Sequence, residues 1–298
     1  MTGHKYGGAA KQIGFIVGTG RCGTTILAEV LNAHSRICVP HELQIIVSIG
    51  NGNRLYEKYI TKELSKYRAK DFIKLIGRRC PYHFEKFFDY HRHFQDLDYP
   101  QNDLRQLLAG LFDHICQAYG KEVFLEQTPW YGQKLEVLRE LFPEMKVIHL
   151  IRDGRDVAVS YARTPWWSRD INKNLKQWER EVNKIHDYGR QNPANFLEIR
   201  YEDLVLGPES ELKKILSLFS LEYQKAMLDP KNLIDYSSMF KRRLFYKRLP
   251  EHLNRQPGKK EVFFPEKVYA WKRNAGLKFN LTPEISRTLA IFNYEAGS

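Results

Sequence analysis

The stretch GFIVGTGRCGTT near the start of the chain has the residue types and spacing of a loop that binds a tetrahedral anion. In a phosphate-binding loop pattern, Gly18 and Gly23 occupy the two glycine positions and Thr25 the hydroxyl position. Thr24 stands where that pattern has a lysine, and Arg21 supplies a cation inside the loop. A glycine-rich turn before a helix offers unpaired backbone N–H groups and the positive end of the helix dipole. The loop is therefore predicted to bind an anion without the lysine.

A second candidate anion site is the stretch HLIRDGRDVAVSYAR, which follows an apolar run and opens a helical pattern. It presents Arg152, Arg155 and Ser160 near the strand end, where open α/β sheets collect ligands. The arginine at the strand end and the serine eight residues later, Arg152 and Ser160, could converge on a phosphate through charge-assisted hydrogen bonds. A salt-bridged helix start and a magnesium site at Asp153 are the alternatives, and the flanking arginines disfavour the magnesium site.

A general base is the next requirement for group transfer to an acceptor. Glu42, in VPHELQ, follows the second predicted strand and should lie near the mouth of the same crevice. His41 beside it and Glu126 in LEQTP are the alternative bases. Glu42 could also be an ordinary helix-start acid, because Pro40 just before it is a helix-start signal.

Two adjacent aromatic residues follow the second motif. Trp166 and Trp167 could stack against a sugar or an aryl group of an acceptor, although such residues more often pack in a core. They are the candidate acceptor-lining residues.

The elements that must position these residues alternate along the chain. Strands are predicted at 13–17, 36–39, 122–129, 146–153 and 195–204, and helices at 24–34, 131–143, 155–163, 209–220 and after Thr282 as N-cap. This alternation predicts an α/β fold with a central, mainly parallel sheet flanked by helices. We expect one domain over residues 1–298, a flexible tail at 1–11 and a mainly helical insertion at 54–120.

Composition limits the class of partner. The 298 residues include 47 lysines and arginines against 35 acids, a net charge of +12, which favours an anionic ligand. The four cysteines lack the paired spacing of a zinc site, and no apolar run is long enough to span a bilayer. We expect a cytoplasmic protein without stable membrane insertion.

Together the two anion motifs resemble those of the sulfotransferase superfamily, whose donor is 3'-phosphoadenosine 5'-phosphosulfate. The resemblance implies a three-layer phosphate-loop fold. It also implies that the first motif binds the phosphosulfate and the second the 3'-phosphate. The implied donor-binding residues are Gly20, Arg21, Cys22, Gly23, Thr24 and Thr25 in the first motif, and Arg152 and Ser160 in the second.

Three weaker matches extend the resemblance. FLEIRYEDL is similar to a family strand whose tyrosine, here Tyr201, lies near the adenine. YAWKRNAG looks like a segment that closes over the donor through Trp271 and Lys272. LEQTPWY resembles a Lys-Thr-Pro segment, with Gln127 in place of the lysine.

The resemblance implies in-line sulfonyl transfer to a hydroxyl or amine, with 3',5'-bisphosphoadenosine as product and no metal required. Arg21 would stabilise the charge on the leaving phosphate, and Glu42 matches the base of tyrosylprotein and bacterial glycolipid sulfotransferases. The expected acceptor is a small molecule, glycan, lipid or aryl compound rather than nucleic acid. Two alternatives remain: a diverged phosphate-loop kinase or ATPase, and a non-enzymatic binder of nucleic acid or anionic surfaces that uses the basic segment 240–260.

Overall fold

The computed structural model describes residues 12–40, 42–43, 104–165, 167–233, 261–274 and 276–295. The predicted tail at 1–11, residues 54–103 of the predicted insertion and the basic segment 240–260 lie outside these residues. His41 and Trp166 lie outside them as well. The remaining part of the predicted insertion contains one described helix.

A five-stranded parallel sheet forms the centre of the described fold. Its strands, in chain order, are β1 Gln12–Gly18, β2 Ile37–Cys38, β3 Val123–Glu126, β4 Lys146–Ile151 and β5 Phe196–Arg200. They lie side by side in the order β2-β3-β1-β4-β5, and every neighbouring pair is parallel. Because β1 lies between β3 and β4 and all three are parallel, the segments that follow these strands lie side by side at the carboxyl ends of the strands.

Helices cover both faces of this sheet. They are α1 Thr24–Asn32, α2 Leu104–Ala118, α3 Leu135–Leu141, α4 Gly154–Ala162, α5 Ile171–Gln191, α6 Tyr201–Leu206, α7 Pro208–Leu218 and α8 Pro283–Ile291. A 3₁₀ helix, Pro129–Lys134, connects β3 to α3. None of the described helices is long and apolar enough to cross a membrane.

The apolar core divides into two layers, one on each side of the sheet. One layer packs Ile148 and Leu150 of β4 against residues of α1, α6 and α7, such as Leu27. The other packs Ile151 against α4, α5 and α8, with Trp178 fully buried at its centre. Adjacent strand residues point to opposite faces, so β4 contributes to both layers. The predicted three-layer α/β architecture is therefore confirmed.

Several predicted elements were wrong in their boundaries, and the strand predicted over 122–129 ends at Glu126. The strand predicted over 195–204 ends at Arg200, and Tyr201 begins α6. Glu202 and Asp203 lie in the first turn of that helix, where negative charges interact favourably with the helix dipole. This stabilisation of the helix start outweighs the extended pattern of FLEIRYEDL. The helix predicted over 131–143 divides into the 3₁₀ helix and α3.

The longest described helix, α5, was absent from the sequence prediction. Asp170 caps it by accepting hydrogen bonds from the backbone N–H groups of Asn172 and Lys173. Its buried face includes Leu175, Trp178, Val182 and Ile185, which recur at helical spacing. This spacing is visible in the sequence, but the many charged residues between the apolar positions lower the average hydrophobicity of the segment.

Candidate functional site

The predicted phosphate loop is the turn between β1 and α1. Arg21 has a φ of 67° and Gly23 a φ of 106°, both in the left-handed region. A Cβ on Gly23 would lie 2.6 Å from Cδ2 of Tyr201, so glycine is required by conformation and by space. Gly23 is also the N-cap of α1, and its lack of a side chain leaves the helix start without a side-chain cap. The loop thus has the features of an anion site.

Cys22 contributes to the core rather than to the surface of this loop. Its thiol is fully buried, and burial raises its pKa to about 12. Thr25, by contrast, is exposed, and Thr24 is buried.

The two predicted anion motifs touch one another. Arg21 Nε donates a hydrogen bond to Ser160 Oγ over 3.1 Å. Arg152 Nη1 donates to the backbone carbonyl of Arg21 over 3.4 Å. Arg21, Arg152 and Ser160, which the sequence analysis assigned to two separate anion sites, therefore lie in contact where β1 and β4 end.

Arg152 is held from several sides. Its guanidinium lies 4.7 Å from the centroid of the Tyr201 ring, and its Nη2 donates to the carbonyl of Lys267 over 2.7 Å. Nη2 also lies 3.3 Å from Oδ2 of Asp156. Tyr201 is thus in contact with both motifs, since its ring also covers Gly23.

Arg155, the other arginine of this segment, lies in a buried ion pair with Asp153. Its side chain is 1% exposed and makes a bidentate contact with Asp153, at 3.0 Å from Nε to Oδ1 and 2.8 Å from Nη2 to Oδ2. The indole of Trp271 lies 3.9 Å from the Arg155 guanidinium and donates from Nε1 to Asp153 Oδ2 over 3.2 Å. The pairing follows from Asp153 being the N-cap of α4, two residues before Arg155.

The C-terminal segment predicted to close over the donor lies against the start of α4. The backbone N–H of Trp271 donates to Asp156 Oδ1 over 2.8 Å. Lys272 is exposed and pairs with Glu295, with 3.1 Å between Nζ and Oε2. The segment is therefore anchored by Trp271, while Lys272 points to Glu295.

Three polar side chains follow one another at the end of β3, and one of them, Gln127, contacts the loop. Gln127 Nε2 donates to Thr24 Oγ1 over 3.0 Å, and both residues are buried. Glu126 Oε1 accepts from the Thr128 hydroxyl over 2.8 Å and from the backbone N–H of Leu43 over 2.9 Å. The buried Glu126 carboxylate therefore ties the segment after β2 to β3.

The charge of Glu42 acts on Arg21, a residue of the first anion motif. Burial lowers the pKa of Arg21, and the nearby Arg152 lowers it further, whereas the charge of Glu42 is among the influences that raise it. Glu42 is partly exposed and next to Leu43, the residue anchored by Glu126. The partly exposed Glu42 carboxylate is thus close enough to the first anion motif for its charge to act on Arg21.

A stack of aromatic rings extends from the loop toward solvent. The Tyr161 ring contacts the position of Gly20, where an added Cβ would lie 3.0 Å from the hydroxyl. Trp167 stacks on Tyr161 with centroids 4.1 Å apart, and Trp130 stacks on Trp167 at 5.7 Å. Trp130 is 49% exposed. The sequence prediction missed Trp130, although its place directly after Thr128-Pro129 at the end of β3 was a usable signal.

The Sulfotransferase family model matches residues 15–225, which is more than half of the chain. The chain therefore belongs to the sulfotransferase family. The matched range contains both anion motifs, Glu42 and the aromatic stack.

Curated relatives carry more specific names. The chain is 23% identical over 237 residues to protein-tyrosine sulfotransferase A of Caenorhabditis elegans, which covers 74% of this chain and 53% of the relative. It is 26% identical over 243 residues to the omega-hydroxy-beta-dihydromenaquinone-9 sulfotransferase of Mycobacterium bovis, which covers 67% and 61%. The matches thus span between half and two thirds of the length of these relatives.

Solved structures support the fold. The sulfotransferase domain of the Synechococcus PCC 7002 olefin synthase has a TM-score of 0.64 at 20% identity, covering 96% of each chain. The sulfotransferase domain of the curacin biosynthetic pathway has a TM-score of 0.66 at 20% identity, covering 96% of this chain and 98% of that one. At this level of identity the likeness concerns the fold alone.

Proposed function

We propose that this chain transfers the sulfonyl group of 3'-phosphoadenosine 5'-phosphosulfate to a hydroxyl group, or an amine, of an acceptor. The observation that carries the proposal is the 3.1 Å contact between Arg21 and Ser160. It joins two anion motifs that are 139 residues apart in the chain, as a donor with a phosphosulfate and a separate 3'-phosphate requires. Family membership supports sulfonyl transfer, and the basic and hydroxyl side chains of the two motifs support this choice of donor.

The residues fit such a donor. The N–H groups of the loop and the start of α1 would bind the 5'-phosphosulfate, because no side chain caps that helix. Arg152 and Ser160 would bind the 3'-phosphate. Since Arg21 donates to Ser160 Oγ, the proton of that hydroxyl is available to donate to a phosphate oxygen. Tyr201, against Arg152 and Gly23, is the proposed neighbour of the adenine.

In the proposed reaction the acceptor oxygen attacks sulfur, and the bond from sulfur to the bridging phosphate oxygen breaks. Negative charge then develops on that oxygen, and Arg21 with the loop N–H groups would stabilise it. The acceptor proton passes to a general base. No metal is required for these steps.

Glu42 is the base that we favour among the three candidates. Glu126 is 1% exposed, and its Oε1 accepts hydrogen bonds from the Thr128 hydroxyl and from the backbone N–H of Leu43, which suits an anchor better than a base. Glu42 is partly exposed and close enough to affect Arg21. His41 remains an alternative base outside the described residues.

The aromatic stack is the proposed acceptor side of the site. The stack extends from the loop to the surface through Tyr161, Trp167 and Trp130. Trp130, the outermost ring, is half exposed and could stack against a planar group. An acceptor with an aryl, glycan or lipid part could pack along these rings. The protein-tyrosine and menaquinone derivatives named for the relatives carry such groups.

A phosphate-loop kinase or ATPase is less well supported. That class needs magnesium held by the loop hydroxyl and a carboxylate. Asp153, the acid at the end of β4, is 0% exposed and is paired with Arg155 and Trp271. The expectation that nucleic acid is not a partner, the cytoplasmic location, the single-domain organisation and donor contacts by Lys272 stay predictions.

Replacement of the proposed base tests the chemistry. Glu42→Gln should keep the affinity for 3',5'-bisphosphoadenosine within about twofold and should lower turnover by 10²–10⁴-fold, the usual contribution of a general base. Glu122→Gln, which alters the exposed pair with Arg36, is the matched control and should keep its activity. Full turnover by Glu42→Gln would assign the base to His41 or Glu126.

A further inference from the structure

The hydrogen bond between Gln127 and Thr24 links β3 to the phosphate loop. Its donor is the amide Nε2 of Gln127 and its acceptor is Thr24 Oγ1, at 3.0 Å. Gln127 is 0% and Thr24 3% exposed. A buried bond of this kind fixes the direction of both side chains, since leaving either group unpaired would cost free energy.

The direction of this bond determines what the threonine can do. A primary amide nitrogen donates only, so Thr24 Oγ1 must accept. The hydroxyl has one proton, which is then available for another acceptor. Thr24 is the first residue of α1, at the helix end that attracts anions. The free proton is thus available to an oxygen of an anion bound by the loop.

We infer that Gln127 is a positioning residue that directs the Thr24 hydroxyl proton toward the bound donor, an inference that rests on the proposed function. A lysine at this position would contact the donor with its own charge. Gln127 is neutral and donates to the threonine instead. The local positive charge comes from Arg21, and Gln127 acts through the hydroxyl.

A double-mutant cycle on kcat/KM tests this role, because it measures whether two residues act as a unit. Thr24→Val removes the hydroxyl and should lower kcat/KM by about 10- to 100-fold, the worth of a hydrogen bond to a charged group. Gln127→Met keeps the side-chain length and should cost about 3- to 30-fold, since the hydroxyl remains but loses its fixed direction. In the Thr24→Val background, Gln127→Met should cost less than about twofold.

Thr24→Ser provides a second background for the same test. Thr24→Ser keeps the hydroxyl, so Gln127→Met in that background should again cost its full factor. A merely structural role for Gln127 would lower kcat/KM by the same factor in all three backgrounds. That additive result would overturn the inference. Gln127→Asn retains the amide but shortens its reach, and it supplies the same cycle if the methionine variant fails to fold.

Two further measurements keep the outcomes separate. Gln117→Met makes the same chemical change at an exposed position of α2, where the amide donates to Asp113, and it should leave kcat/KM unchanged. Binding of 3',5'-bisphosphoadenosine to the unaltered chain is measured first. Absence of binding and of sulfonyl transfer would overturn the proposed function together with this inference, whereas an active enzyme with an additive cycle would overturn the inference alone.

Discussion

Gly23→Ala tests whether the loop conformation is fixed both by the backbone and by Tyr201. An L-residue in the left-handed region costs about 1–2 kcal/mol, and Gly23 has a φ of 106°. The added Cβ would also lie 2.6 Å from the buried Tyr201 ring, and overpacking of this kind costs about 1–3 kcal/mol. We expect the free energy of unfolding to fall by about 2–5 kcal/mol.

Gly120→Ala is the matched control. Gly120 has a φ of 64°, but an added Cβ there would meet nothing within 4 Å. This variant should lose only the conformational part, about 1–2 kcal/mol. Urea denaturation of both variants measures the difference, which isolates the contact with Tyr201. Equal losses in the two variants would refute the proposed packing of Tyr201 on the loop.

Two predictions concern other parts of the molecule. Burial lowers the pKa of His149 despite its 3.0 Å contact with Glu198, so the folded state binds a proton less readily than the unfolded chain, whose histidine pKa is about 6.5. The stability that His149 contributes should therefore be fully present above about pH 6.5 and should fall as the pH drops below it. Urea denaturation at a series of pH values should show a shallower loss of stability in His149→Gln. The same loss of stability with falling pH in His149→Gln and in the unaltered chain would contradict the assignment. Trp130→Ala should raise the KM for a phenolic acceptor by about 3- to 10-fold, the worth of one aromatic contact, without changing the affinity for 3',5'-bisphosphoadenosine. Steady-state kinetics with an unaltered KM would remove Trp130 from the acceptor site.

The sequence predicted the parts of the site that depend on local patterns. Glycine spacing, the strand before the loop and the helix after it predicted an anion-binding turn between β1 and α1, and Arg152 with Ser160 were predicted as a second anion site. The sheet order then brings these motifs together, because β1 and β4 are neighbours in a parallel sheet. The contact between the two motifs could be expected from the fold class. The hydrogen bond from Arg21 to Ser160 could not, because it depends on the positions of individual side chains.

Other features depend on contacts between distant segments. Arg155 has the residue type of an anion ligand, yet its neighbour Asp153 pairs with it in a buried position. Glu126 has the residue type of a base, but its contact with Leu43 over 83 positions gives it a role as an anchor. Trp130 follows a recognisable Thr-Pro pair, but its stacking on Trp167 joins it to a distant part of the chain. Such pairings are set by tertiary packing, which no local pattern records.

Calorimetry with 3',5'-bisphosphoadenosine and with adenosine 5'-phosphate tests the central claim most directly, because the two ligands differ only in the 3'-phosphate. The unaltered chain should bind the bisphosphate about 10- to 100-fold more tightly, the worth of charge-assisted hydrogen bonds from Arg152 and Ser160. In Arg152→Met most of that advantage should disappear, while binding of adenosine 5'-phosphate changes little. Equal affinity of the unaltered chain for both ligands, or a preference for ATP with magnesium, would contradict the account.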